Sequence, residues 1–361
     1  MTYHAVGLMS GSSLDGLDIA FVRLHKEGGG WRYEWIATEC IPYPANWIDP
    51  LMEAKDLSVP DFLRLHTAYG HYTGRVVNAF LERHAEGLPI DFIASHGHTI
   101  FHDPASATTC QIGDGASIAA ETGLPVISDL RNMDIALGGQ GAPIVPLGEQ
   151  LLFPEYDYWL NLGGIANITY QRDGAWTAFD ICACNQVLNA LAAEAGLEYD
   201  AGGTIADSGT TDRQLLAALN QVEYFGRPLP KSLDNAFSQK AILPLIQATA
   251  LSLQDKMRTA VEHIADQLAP ALSHNTASSR ILVTGGGALN TFLISRLNAV
   301  CKAKNISLVV PDDQTVQYKE ALIMALLGAL RWQGKPTVLH TVTGARESSI
   351  GGALWLGHKK G

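Results

Sequence analysis

The chain has 361 residues, of which 47% are hydrophobic and 17% charged, and its net charge is −11. This length suits two domains of roughly 100–200 residues each, and the composition is that of a folded protein rather than a disordered one. The acidic balance and the lack of a basic patch disfavour nucleic acids and anionic membranes as partners. Small anionic ligands stay possible, because backbone amides and helix N-termini can bind them.

The cysteine count and the N-terminus indicate the compartment. Five scattered cysteines do not form a disulfide framework, which favours a reducing environment. The first residues lack the basic and apolar regions of a signal peptide, and no apolar run of ~18 residues is present to span a membrane. We therefore expect a cytoplasmic protein.

The first half of the chain is predicted to be α/β. Apolar residues at steps of three and four predict a helix from Val59 to Arg83, with Pro60 in its first turn. Apolar runs bounded by turn residues predict strands at 5–10, 17–24, 31–43, 89–97 and 124–130.

A second half begins near Asp134 and repeats the opening pattern of strand, glycine turn and strand. Gly196 and Asn290 are predicted helix caps, at a C-terminus and an N-terminus respectively. This echo favours a duplicated architecture, and we expect one domain at 1–132 with about 338–361 and another at 133–337. The predicted elements are a strand–turn–strand at 157–171, a strand at 176–181, helices at 185–196, 247–268 and 319–332, and a strand–turn–helix at 280–297.

Three turns are richer in small residues than a bend requires: GLMSGSSLDGLD at 7–18, Gly163-Gly164 and Gly285-Gly286-Gly287. Glycine and serine let backbone amides approach a phosphate closely. Asp15 and Asp18 beside a phosphate imply a bridging Mg²⁺. Each turn alone could simply be tight, but three at strand ends favour a ligand. The P-loop and dinucleotide-binding patterns are both absent, and two such hairpins are typical of the actin, hexokinase and Hsp70 class of ATPases.

Six motifs follow one another along nearly the whole chain: GLMSGSSLDGLD, SHGHTIFHDP (95–104), QIGDGASIAAETGLPVISDLR (111–131), DIALGGQGAPIVP (134–146), NLGGIANIT (161–169) and VTGGGALN (283–290). By these motifs the sequence resembles, within that class, the anhydro-N-acetylmuramic acid kinases. The resemblance implies a two-domain, actin-like (ribonuclease H-like) α/β fold with a nucleotide and sugar cleft between the domains, and a cytoplasmic homodimer. It also implies an activity: cleavage of the 1,6-anhydro bond of the sugar by water, with phosphorylation of O6 from ATP.

The same resemblance assigns residues to roles. It makes Asp180 the base that activates water, although an N-cap for the following helix is an alternative reading. It makes Asp15 a Mg²⁺ ligand. ATP contacts are assigned to Gly11, Ser12, Ser13, Leu14, Asp15, Gly16, Leu17, Asp18, Gly163, Gly164, Asn167, Gly285, Gly286 and Gly287. Sugar contacts are assigned to His96, Asp114, Asp134, Gly139, Asn185 and Glu320.

Two features leave alternatives open. His96, His98 and His102 have a spacing that could bind zinc, although no acid or cysteine stands at a telling distance. The chain also departs from the family pattern after Asp180, where Ile-Cys-Ala-Cys replaces Thr-Gly-Pro-Gly, and after Ser232, where Leu-Asp-Asn-Ala replaces Thr-Gly-Arg-Glu. Because these changes affect the sugar side, a second hypothesis stands: an ATP-binding protein with another acceptor or a regulatory role.

Overall fold

A computed structural model describes residues 1–11, 14–172, 174–229, 231–234, 236–272 and 278–358. The chain divides into two compact units, the first made of 1–154 and 318–361 and the second of 155–317. Both units are α/β, as predicted. Within the described residues, none of the helices combines the length and the apolar character needed to cross a bilayer.

The unit boundaries differ from the predicted ones, because residues 133–154 and 318–337 lie with the first unit. Buried Glu149 forms an ion pair with buried Lys319, and the Phe153 ring lies 5.8 Å from that of Tyr33. The backbone also approaches closely, since a Cβ on Gly7 would collide with the carbonyl oxygen of Ala321. These contacts of packing and charge are not visible in the local composition used to predict the boundaries.

The strands form two sheets, one in each unit. Their bounds are β1 (Thr2–Ser10), β2 (Gly16–Glu27), β3 (Gly30–Pro42), β4 (Phe92–Asp103), β5 (Thr108–Ile112), β6 (Val126–Ser128), β7 (Tyr158–Leu162), β8 (Ile165–Arg172), β9 (Ala175–Ala183), β10 (Ser279–Thr284), β11 (Ile306–Val309) and β12 (Ala353–Trp355).

The α-helices cover the sheets within each unit. Their bounds are α1 (Ala45–Glu53), α2 (Val59–His84), α3 (Gly115–Thr122), α4 (Asn132–Ala136), α5 (Val145–Leu152), α6 (Asn185–Ala192), α7 (Thr204–Ser208), α8 (Arg213–Asn220), α9 (Leu243–Gln247), α10 (Leu253–Ala271), α11 (Thr291–Ala303), α12 (Asp313–Trp332) and α13 (His340–Thr343).

The two sheets share one strand order. In the first unit it is β3–β2–β1–β4–β6, extended by β12, with β5 beside β4. In the second unit it is β9–β8–β7–β10–β11. In each of these orders, neighbours among the first three strands are antiparallel. The fourth and fifth strands run parallel to the third, which is β1 in the first unit and β7 in the second. The echo in the sequence thus corresponds to a repeated topology.

Local capping fixes several helices as the sequence predicts. The Ser58 hydroxyl accepts from the amide of Asp61 at the start of α2, and the Asn290 side chain accepts from the amide of Leu293 at the start of α11. Gly196 ends the helical segment after α6 in the left-handed conformation, with φ of 71°, which glycine adopts without steric penalty. These predicted helix ends are confirmed.

Candidate active site

The opening turn joins β1 to β2 in the first unit. Leu14 adopts a left-handed φ of 58°, and its amide donates to the carbonyl of Gly11 over 3.4 Å. A Cβ on Gly16 would lie 2.5 Å from the carbonyl oxygen of Ile41, so the turn needs glycine where β3 approaches it. Two predicted nucleotide contacts in this turn, Ser12 and Ser13, lie outside the described residues.

Acidic side chains interact electrostatically next to this turn. Burial raises the pKa of Asp18 to about 6, the side chain of Cys40 opposes the shift, and the negative charges of Asp15 and Glu320 add to it. Burial also raises the pKa of Glu320. Keeping such buried acids ionised costs free energy, and a bound divalent cation would offset that cost. The charges of the predicted residues Asp15 and Glu320 thus both act on Asp18.

His96 lies on β4 with both ring nitrogens in hydrogen bonds. The Nε of Arg131 donates to its Nε2 over 2.9 Å, so Nε2 is an acceptor and Nδ1 donates to the carbonyl of Gly97 over 2.9 Å. Burial, reinforced by the charge of Arg131, lowers the pKa of His96 to about 3. The ring is therefore neutral, and its contact is with Arg131, a residue that the sequence analysis did not assign to the site.

The other two histidines of the predicted metal pattern have different partners. Nδ1 of His98 lies 2.8 Å from the Ser10 hydroxyl, and Nδ1 of His102 lies 3.1 Å from the Thr109 hydroxyl. Across the described parts of the chain, no three His, Cys, Asp or Glu side chains are grouped so as to hold a metal ion. The three histidines each serve a separate polar contact.

Asp134 and Gly139, two predicted sugar contacts, are used inside the fold. Asp134 is completely buried; its Oδ2 accepts from the amide of Gly141 over 2.7 Å, and its Oδ1 accepts from the hydroxyl of Thr343 over 2.7 Å. A Cβ on Gly139 would collide with Asp134. The pair thus holds the loop after α4, because a buried carboxylate must have its oxygens satisfied. The sugar contacts predicted at Asp134 and Gly139 stay predictions.

Asp114 is the N-cap of α3. Its Oδ2 accepts from both the amide and the hydroxyl of Ser117, which satisfies one of the open donors at the helix start. The family resemblance predicts a sugar contact at Asp114 and did not predict this helix cap.

In the second unit, the glycine turns follow β7 and β10, which are parallel neighbours. Both turns therefore lie at the same edge of the sheet. Gly285 has φ of 82°, and a Cβ there would lie 2.6 Å from Oδ1 of Asn161 and 2.9 Å from the backbone of Leu162. Only glycine fits this close approach. Of its neighbours, a Cβ on Gly286 would make only an ordinary van der Waals contact, 3.8 Å from Nδ2 of Asn185, whereas a Cβ on Gly287 would lie 2.8 Å from Leu162.

The turn between β7 and β8 is bonded to the start of α6. The carbonyl of Gly163 accepts from the amide of Asn185 over 3.1 Å, and that of Gly164 accepts from the amide of Cys184 over 2.8 Å. The side chain of Asn185 donates to the carbonyl of Leu162 over 3.0 Å. The structure thus brings Gly163, Gly164 and Asn185 to the edge that carries Gly285–Gly287.

Asp180 lies on β9 opposite Asn167 of β8. A bulge there makes Ile181 an extra residue, which lets both Ile181 and Cys182 join the buried core while Asp180 stays out of it. The helix that follows begins after Cys184, so Asp180 is not its N-cap.

The Asp180 carboxylate has one bonded and one open oxygen. Oδ2 accepts from the amide of Leu233 over 2.9 Å; among the described residues, nothing donates to Oδ1. Burial raises the pKa of Asp180, and the Leu233 amide partly opposes this shift. A half-buried carboxylate with raised pKa and one open oxygen can accept a proton from water.

Comparison with known proteins gives the family of the chain. Residues 3–357 match the family model described as "Anhydro-N-acetylmuramic acid kinase". A Salinibacter ruber protein of that name is 35% identical over 97% of this chain and 95% of its own length. A Rhizorhabdus wittichii protein, also of that name, is 37% identical over 82% of this chain and 84% of its own length. Among solved structures, (R)-2-hydroxyglutaryl-CoA dehydratase component A of Acidaminococcus fermentans is similar with a TM-score of 0.47 and 12% identity, over 90% of this chain and 96% of that one. Since the family model matches nearly every residue, the chain belongs to the anhydro-N-acetylmuramic acid kinase family.

Proposed function

We propose that the protein is an ATP-dependent kinase that hydrolyses the 1,6-anhydro bond of 1,6-anhydro-N-acetylmuramic acid and phosphorylates O6. The products are N-acetylmuramate 6-phosphate and ADP. Family membership supports this activity. The observation that carries it is the Asp180 carboxylate, whose Oδ2 accepts from the Leu233 amide and whose Oδ1 has no donor among the residues that the structure describes.

Asp180 has the properties of a general base. Ring opening by water needs a group that takes a proton from the water as it attacks the anomeric carbon. The raised pKa makes the ionised carboxylate more basic than an exposed one, and a fixed Oδ2 holds Oδ1 in one direction. Asn167 is the residue directly across the sheet from Asp180.

The residues fit ATP and Mg²⁺. The turns at Gly163–Gly164 and Gly285–Gly287 lie at one edge of the sheet, and glycine-rich turns at strand ends let backbone amides approach phosphate groups. At Gly285 and Gly287 the missing Cβ also makes room for Leu162. Mg²⁺ is usually held by one or two carboxylates together with phosphate oxygens, and Asp15 and Asp18 with the raised pKa of the latter supply that donor set. Bound there, the ion would neutralise phosphate charge.

The sugar side is proposed to include Arg131. His96 accepts from Nε of Arg131 and so fixes the plane of the guanidinium. Guanidinium groups recognise carboxylates in a forked geometry, and N-acetylmuramic acid carries a lactyl carboxylate. We therefore propose that His96 acts on the sugar by orienting Arg131, with Glu320 and Asp114 as further polar contacts.

The test is release of ADP by purified protein with Mg²⁺, ATP and the anhydro sugar. We expect sugar-dependent turnover, which Asp180→Asn lowers by about 10²–10⁴-fold while the affinity for ATP is unchanged. Asp207→Asn is the matched control, because Asp207 is an exposed acid of the same unit. Slow ADP release that the sugar does not accelerate would contradict the proposal and favour a different acceptor.

A further inference from the structure

The segment around Lys231 surrounds Asp180, although the reaction assigns it no part. We call the three residues that contact Asp180 from this segment and its neighbour, Tyr224, Lys231 and Leu233, the clasp. The amide of Asp180 donates to the carbonyl of Lys231 over 3.0 Å, and the Tyr224 hydroxyl donates to the carbonyl of Asp180 over 2.6 Å. With the Leu233 amide on Oδ2, three separate polar groups of Asp180 are bonded to the clasp.

Lys231 holds the clasp together. Its ammonium donates to the carbonyl of Tyr224 over 3.1 Å and to that of Phe225 over 3.3 Å. The same ammonium lies 4.5 Å from the centre of the Tyr224 ring, within the range of a cation–π contact. Tyr224 itself is buried. One side chain thus joins the two parts of the clasp that reach Asp180 from different points of the loop.

We propose that Lys231 and Leu233 are positioning residues for Asp180: the Leu233 amide fixes Oδ2, and the Lys231 ammonium fixes the segment that carries this amide. The inference rests on the proposed function, because it gives Asp180 the part of the base. Neither residue touches the sugar or ATP in this account. Their effect on the reaction passes through the direction and the basicity of one carboxylate.

The clasp supplies neutral and donor groups to the carboxylate rather than a second acid. Tyr224 and Cys182 are the titratable groups that face Asp180. Burial raises the pKa of both, so both stay neutral near pH 7. Lys231 is the charged member, and burial lowers its pKa. A donor to the ionised carboxylate lowers the pKa of that carboxylate, so loss of the Leu233 amide should raise it.

The first experiment removes the donor alone. Leu233→Pro deletes the N–H, and we expect the acid limb of the kcat/KM profile for the sugar to move up by about one pH unit. We also expect kcat at the plateau to fall roughly tenfold, since the carboxylate is less well aimed, with KM for ATP unchanged. Leu229→Pro is the matched control: it places the same substitution in the same loop, outside the clasp, at a residue that is 43% exposed.

The second experiment separates the ammonium from the amide. Lys231→Met keeps most of the stem and should move the acid limb in the same direction by roughly half as much, whereas Lys231→Arg should restore the unmodified profile. If Leu233→Pro does not fold, as judged by circular dichroism and its melting temperature, the Lys231→Met and Lys231→Arg variants test the inference instead. Folded Leu233→Pro or Lys231→Met proteins with an unchanged acid limb would overturn the inference.

A third readout does not need the reaction. Titration of ¹³C-carboxyl-labelled aspartate by NMR gives the pKa of Asp180 directly, and its signal is identified by its loss in Asp180→Asn. The Leu233→Pro variant should show the same upward shift as the acid limb. An unmodified protein without sugar-dependent turnover would refute the proposed function, yet this titration would still test the clasp.

Discussion

The two sheets have the same strand order, but the turns between their paired strands differ in chemistry. In the first, the turn from β1 to β2 brings Asp15 and Asp18 near Glu320, and the pKa of Asp18 rises to about 6. In the second, the equivalent turn from β7 to β8 carries no acid and offers backbone groups packed against the Gly285 turn. An acidic edge suits a cation, and a glycine-lined edge suits a close-lying ligand. Topology therefore determines where these turns lie, while a few residues determine which ligand chemistry each turn suits.

The largest expected effect is on the glycine edge. Gly285→Ala puts a Cβ 2.6 Å from Oδ1 of Asn161 at a φ of 82°. The backbone strain alone costs about 1–3 kcal/mol, and the collision adds to it. We expect the free energy of unfolding in urea to fall by more than about 2 kcal/mol. Gly286→Ala is the control, since a Cβ there would meet nothing closer than Nδ2 of Asn185 at 3.8 Å. Equal stability of the two variants would contradict the need for glycine at Gly285.

The acidic edge should respond to pH in the opposite way from a salt-bridged acid. Because the folded-state pKa of Asp18, about 6, exceeds the ordinary aspartate value of 3.8, the folded state binds the proton more tightly than the unfolded chain does. Stability should therefore fall as the pH rises from about 4 to 6. Without Mg²⁺ at pH 7.5, Asp18→Asn should be more stable than the unmodified protein by about 1–3 kcal/mol.

Urea unfolding at pH 4.0 and pH 7.5 measures this gain, which should shrink towards zero at the lower pH. Asp56→Asn, at an exposed acid of the same unit, should leave the pH dependence of the unmodified protein in place. A gain that is equal at both pH values would show that Asp18 is not held in an unfavourable charged state.

The smallest effect concerns Asp114, whose Oδ2 makes both bonds of the α3 cap. Asp114→Ala should lower the free energy of unfolding by about 0.5–2 kcal/mol through loss of the cap, while Asp114→Ser keeps a capping oxygen and most of the stability. If the carboxylate also binds the sugar, both variants should raise the sugar KM about tenfold. A raised KM in the alanine variant alone would assign Asp114 to the cap only.

Local signals in the sequence predicted much of the fold. Pro60 in the first turn marked the start of α2, and apolar runs on either side of turn residues predicted both hairpins. Where predictions failed in detail, a local contact had the stronger effect. The helix predicted from residue 247 begins at Leu253 because Ser252 caps it by accepting from the amide of Asp255. The strand predicted to residue 130 ends at Ser128, before the left-handed Asp129.

The site was only partly predictable, because its contacts join distant parts of the chain. The family resemblance singled out Asp180, but Leu233, its hydrogen-bond donor, is 53 residues away. Likewise Asp134 meets Thr343 across 209 residues, so its use as a structural residue could not be seen locally. Motifs identified which residues matter, while packing decided which atoms of those residues stay open.

The clasp has a further consequence, for solubility. β9 is the edge strand of its sheet, and an uncovered edge presents backbone donors and acceptors on which another chain can add a strand. At Asp180 the carbonyl of Lys231 takes up the amide that would otherwise be offered outward. A variant with a loosened clasp should therefore aggregate through β9 as well as lose turnover. The residues that aim the carboxylate also keep neighbouring molecules off the strand that carries it.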